Sequence, residues 1–91
     1  MEPPEYPGGM PAFFEYLQKN MNVPRGAPKG VVQVEMILDP EGNVIKDSVK
    51  VIQSLWPPCD REALRVMKKS PKWIPGENPH NMRVVVPIRF N

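Results

Sequence analysis

The sequence predicts an α+β fold in which two helices pack on one face of a three-stranded antiparallel sheet, in the order α-β-β-α-β. Three observations carry this. Two segments repeat apolar residues at helical spacing, and three others alternate them with period two. The 13 prolines, far above ordinary usage, fall between these periodic segments, apart from Pro87, and so punctuate a fold. Finally, 91 residues suffice for one small domain, which buries roughly 60–65% of its unfolded surface.

Residues 1–9, MEPPEYPGG, read as linker or tail, and residues 10–91 as the domain. The opening MEPPEYPGGM suggests the end of a Pro-rich linker, and hence a piece of a longer protein with an anchor upstream. Pro11 suits a first helical turn, where its missing N–H costs nothing. Met10, Phe13, Phe14, Leu17 and Met21 then form the expected apolar helix face, with Glu15, Gln18 and Lys19 elsewhere. The prolines and glycines of NVPRGAPKG (22–30) make a loop. From Gly30 the period becomes two, and Val32, Val34, Met36 and Leu38 form the buried face of a strand.

DPEGN (39–43) fits a type I turn with Gly42 left-handed, a hairpin signal. The returning strand holds Ile45, Val49 and Val51 in one parity and Val44 and Ile52 in the other, which a bulge near 46–48 would reconcile. SLWPPC (54–59) reads as a turn. Asp60 to Ser70 reads as the second helix, with Asp60 and Glu62 near its start and Lys68 and Lys69 near its end, each sign matching the helix dipole. Its inner face is expected to hold Ala63, Leu64 and Met67, flanked by Val66. Met82, Val84, Val86, Ile88 and Phe90 alternate through a last strand. That strand returns antiparallel beside the first, giving the order second–first–third. The last strand is then an edge, where proline is tolerated, and Pro87 agrees.

Composition offers little to catalysis. The net charge of +2 is too small to argue for nucleic acid, no GXXG loop joins two helices, and the sheet lacks paired aromatics for stacking bases. The single Cys59 has neither a disulfide partner nor a marked base and reads as a small buried apolar residue; His80 reads as a surface loop residue. No catalytic residue, metal site or cofactor is expected, so the chain is not read as an enzyme. Lys68, Lys69 and Lys72 read as a solvated helix end. Met10, Met21, Met36 and Met67 read as core fillers, and Trp73 as the ring that seals the corner between the second helix and the last strand. The remaining candidate site is the open edge itself: the backbone from Arg83 to Arg89, carried by Arg83, Val84, Val85, Val86, Ile88 and Arg89 and lacking only the Pro87 N–H.

Several stretches resemble the TonB C-terminal domain family. GVVQVEMILDPEGNV (30–44) is similar to its Gly-x-Val-x-Val-x-Phe pattern followed by a Gly turn. DREAL (60–64), WIP (73–75) and VVVPIRF (84–90) resemble its capped helix, its Trp-x-Pro corner and its closing Pro-x-x-Phe strand. YPGGMPAFFEYLQKNM resembles the opening of Bacteroidetes-type members. The chain departs from the pattern at Val23-Pro24, where Tyr-Pro is usual, at Met36, where Phe is usual, and in two extra residues between Val44 and Val49.

The resemblance implies a periplasmic module at the end of an arm anchored in the inner membrane, coupling a proton-channel complex there to TonB-dependent outer-membrane transporters. It implies that the transporter's N-terminal segment adds as a strand to the last strand, Arg83 and Arg89 setting register by charge. Two alternatives stand beside it: the extracytoplasmic domain of a membrane-anchored sensor or peptidase, and a domain that self-associates as a homodimer through its open edge.

Overall fold

The structure is a computed structural model that describes residues 3–77 and 79–91. Its elements are α1 (Gly9–Asn20), β1 (Gly30–Leu38), β2 (Lys50–Gln53), α2 (Pro57–Lys68) and β3 (Met82–Phe90), with a 3-10 turn at Lys46–Ser48. The sheet order is β2-β1-β3 with both pairings antiparallel, as the sequence predicts. β1 and β3 pair along their whole length, from Gly30 opposite Phe90 to Leu38 opposite Met82.

Alternation divides the sheet into a dry face and a wet one. Val32, Val34, Met36 and Leu38 of β1 are fully buried, and Met82, Val86, Ile88 and Phe90 of β3 join them. Above this face α2 brings Cys59, Ala63, Val66 and Met67, and α1 brings Phe13 and Leu17. The opposite face carries Gln33, Glu35, Arg83, Val85, Pro87 and Arg89.

On α2, Val66 is buried and Leu64 only half-buried, the reverse of the expected inner face and flank. Four further differences from expectation each have a physical reason. α2 begins at Pro57, three residues before the expected Asp60, because Pro57 and Pro58 occupy the first helical positions, where no N–H is needed. Cys59 therefore lies within the first turn. The expected bulge near 46–48 is a 3-10 turn, and β2 is shortened to four residues with its irregularity opposite Gln33 and Val34. Ser48 makes that break tolerable: its Oγ accepts the Ile37 N–H at 2.8 Å, a bond the missing strand would have supplied.

The third difference concerns α1. Of its expected apolar face only Phe13 and Leu17 are buried, while Met10 and Phe14 are exposed and Met21 is half-buried. Met10 and Phe14 lie roughly 60–100° further round the axis than Phe13, on a flank turned away from the core, and Met21, just past the helix end, packs only partly against it. Among the expected methionine fillers, Met36 and Met67 are buried and Met10 is not. Fourth, Glu5 and Tyr6 fall in the stretch expected as tail but are held by the fold. Glu5 exchanges two backbone hydrogen bonds with Ile74, at 3.0 and 2.9 Å, and Tyr6 is buried.

Trp73 closes the corner. It is 5% exposed, its ring lies 5.4 Å from Tyr6 edge-on and 5.9 Å from Phe13, and its Nε1–H donates to Ser70 Oγ at 2.9 Å. Its backbone N–H donates to the Gly42 carbonyl at 2.8 Å. Gly42 has φ 95°, and a Cβ there would stand 1.9 Å from the Trp73 carbonyl oxygen, so the turn demands glycine for conformation and for space.

The helices are joined by polar contacts. Arg65 donates to the Asn20 carbonyl at the end of α1 and, through Nε and Nη2, to both oxygens of Glu62; Glu62 also accepts the Asn22 N–H. Tyr16 Oη donates to the Val66 carbonyl at 2.8 Å. The Arg65 hydrogen bonds, with help from Asn22, hold the Glu62 carboxyl below the usual carboxylate range against the opposing effect of burial.

Trp73→Ala is expected to destabilise the domain by about 3–5 kcal/mol, which would leave much of a small domain unfolded. Urea unfolding checks this, and an unchanged midpoint would contradict it. Glu62 is depressed in the folded state, so its contribution is complete above its unfolded value near pH ~4.3 and fades as pH falls through the folded value. Glu62→Gln is expected to cost about 1–2 kcal/mol at neutral pH. The cost should shrink below about pH 4, as measured by urea midpoints across pH.

Candidate functional site

Hydrogen bonds at the hairpin decide which way β3's backbone points. Ile45 donates its N–H to the Ile37 carbonyl at 2.9 Å, and Ile37 donates its own N–H to Ser48 Oγ, so both peptide groups of Ile37 face the β2 side. Peptide groups alternate in direction along a strand. The odd residues of β1 therefore face β2, and Gly30, Val32, Val34, Met36 and Leu38 face β3. Their partners are Phe90, Ile88, Val86, Val84 and Met82. What remains on β3 points outward: the N–H groups of Arg83, Val85 and Arg89, and the carbonyls of these three and Pro87. Pro87 sits where its missing N–H removes no bond from the internal ladder.

Of the six residues singled out from the sequence, Arg83, Val85 and Arg89 thus turn their peptide groups to the open edge. Val84, Val86 and Ile88 turn theirs to β1. Val86 and Ile88 are buried by side chain as well.

The two edge arginines differ. Arg83 Nε donates to Glu35 Oε1 at 2.5 Å, and Lys50 Nζ lies 3.5 Å from Glu35 Oε2, a charge row crossing all three strands. Glu35 is held below its usual carboxylate range, first by the Arg83 hydrogen bond. Its side chain is only 13% exposed. Arg89, at the other end of the edge, has no carboxylate within 4 Å among the described residues.

Beside Arg89 lies a groove of about 660 Å³ lined by Phe14, Leu17, Gln18, Met21, Val23, Arg89 and Asn91. Exposed Phe14 and the edge of Leu17 on α1, with Met21 and Val23 just after it, form one wall, and the end of β3 is the other. Phe14 and Val23 are 53% and 54% exposed. Phe14 and Met21, expected in the core from their helical spacing, instead line this groove, and the sequence signal for that is an apolar arc too wide for one buried row.

Residues 25–91 match the family described as Gram-negative bacterial TonB protein C-terminal. The chain belongs to the TonB C-terminal family. No curated protein and no solved structure matches the chain. The family is one of non-catalytic, periplasmic transducer domains that interact with TonB-dependent transporters. The matched span of this TonB-type domain includes the whole sheet and α2, while α1 precedes it.

Other chemistry-bearing groups in the TonB-type domain are placed as structural residues. Cys59 is buried in the core, and burial, reinforced by Asp60, pushes its thiol up, away from the reactive thiolate. Asp60 receives the Leu55 N–H at 3.0 Å and the Ser54 hydroxyl, fixing the entry to α2. His80 is exposed.

Proposed function

We propose that this domain is the periplasmic, gripping end of an energy transducer anchored in the inner membrane. It takes hold of an outer-membrane transporter by receiving the transporter's N-terminal segment as a fourth strand on β3. The observation that supports this reading is the outward row of peptide groups at Arg83, Val85, Pro87 and Arg89, on an edge that is fully paired on its other side. An extended segment completes such a row with few demands on its own side chains. Each added backbone hydrogen bond contributes about 0.5–1.5 kcal/mol net, so a short ladder gives a reversible grip.

Force suits this arrangement. Tension along the segment loads several parallel bonds together, and β3 is sewn to β1 over nine residue pairs, so the pull passes into the central strand. The proton-channel complex of the inner membrane would act through the part of the protein upstream of the domain.

Titrating the labelled domain with N-terminal peptides of outer-membrane transporters, followed by NMR, tests the reading. Shifts are expected to concentrate on residues 82–90. Val85→Pro removes an outward N–H without touching the internal ladder, and it should weaken binding while leaving the fold intact. Shifts gathered instead around Lys68–Trp73 would move the grip to the helix corner. Mass that rises with concentration in the absence of peptide would assign the edge to a homodimer.

A further inference from the structure

The groove beside Arg89 adds a requirement that backbone pairing does not impose. Its lining from Phe14 to Val23 lies before residue 25, ahead of the family match, so this wall comes from α1 and the residues just after it. A strand added to β3 would run past the groove, with successive side chains pointing to opposite faces. One set would face the helix side, toward Phe14, Leu17, Met21 and Val23. The other would face the outer side of the sheet, where Arg83 and Arg89 project.

Charge distinguishes the two ends of that outer side. Arg83 is already hydrogen-bonded to Glu35, whose other oxygen faces Lys50 across the sheet. Arg89 carries an uncompensated charge among the described residues, at the same end as the groove. An acidic partner side chain therefore gains more beside Arg89 than beside Arg83, whose guanidinium already holds a carboxylate. The neighbouring partner residue, pointing the other way, is the one that reaches the apolar wall.

We propose that the groove and Arg89 together select a partner segment in which an apolar residue and an acidic residue are adjacent. The apolar side chain sits against Phe14, Leu17, Met21 and Val23, and the carboxylate sits beside Arg89. This rests on the strand-addition reading above and deepens it: β3 supplies the grip, and the α1 groove with Arg89 supplies the choice.

The test uses four synthetic peptides with one strand-forming Thr/Ser background and a central Leu-Asp, Leu-Asn, Ala-Asp or Ala-Asn pair. Each is titrated into the 91-residue chain by NMR. Leu-Asp is expected to bind tightest, with Leu→Ala costing about ten-fold and Asp→Asn about three-fold at low salt. Arg89→Gln should abolish the Asp/Asn difference, whereas Arg83→Gln should preserve it. Phe14→Ala, at an exposed position, should narrow the Leu/Ala difference without unfolding the domain. If all four peptides shift β3 equally, strand addition stands and the selection is overturned. If none shifts β3, both are overturned. Loss of the Asp preference in Arg83→Gln but not in Arg89→Gln would also overturn the assignment.

Discussion

Ile37 turns both of its peptide groups toward the hairpin, and that single orientation fixes the direction of every backbone group in the sheet. Once the Ile37 carbonyl accepts from Ile45 and its N–H is taken by Ser48, alternation commits the even residues of β1 to β3. The same alternation places the even side chains on the core face, where Val32, Val34, Met36 and Leu38 are fully buried. A slip of one residue would put these apolar groups in water and turn Pro87 inward, where its missing N–H would leave a β1 carbonyl unmatched. Core burial and the proline therefore favour the same register. The open edge is a consequence of that register.

The turn and the corner hold the rest of the chain to this register. Gly42 receives the Trp73 N–H, Trp73 packs on Tyr6 and Phe13, and Ile74 is bridged to Glu5, so the hairpin tip, the loop before β3 and the N-terminal segment meet at one place. Trp73 acts here through its ring and its backbone, both turned inward. The lysines that precede it, Lys68, Lys69 and Lys72, are exposed. On the far side, the Arg65–Glu62 pair ties the end of α1 to α2. That tie steadies the helix whose outer flank forms the groove wall.

Strand parity is legible in the sequence because burial on one face keeps every even position from Val32 to Leu38 and from Met82 to Phe90 apolar, whereas the other face mixes Val31, Ile37 and Val85 with polar residues. Pro87 made the edge assignment legible too. The signal is weaker where the chain departs from a single period. The two apolar parities of 44–52 signalled an irregularity, but not that Ser48 would substitute a hydroxyl for a ladder partner and allow a 3-10 turn. Pro57-Pro58 suggests a turn because proline breaks helices in their interior, whereas at the first positions it starts them. The site was half legible. Which β3 residues are exposed follows from alternation, but the direction of their peptide groups depends on the hairpin bonds. The pairing of Arg83 with Glu35 and the placing of Phe14 and Met21 beside Arg89 are long-range packing outcomes with no local signature.

Amide hydrogen exchange along β3 of the free domain tests the central claim most directly. Fast exchange at Arg83, Val85 and Arg89, interleaved with slow exchange at Val84, Val86 and Ile88, is the pattern that an open edge with outward donors requires. Uniform protection along the strand would mean that the edge is already covered, and exchange fast at the even residues instead would show the register itself to be wrong.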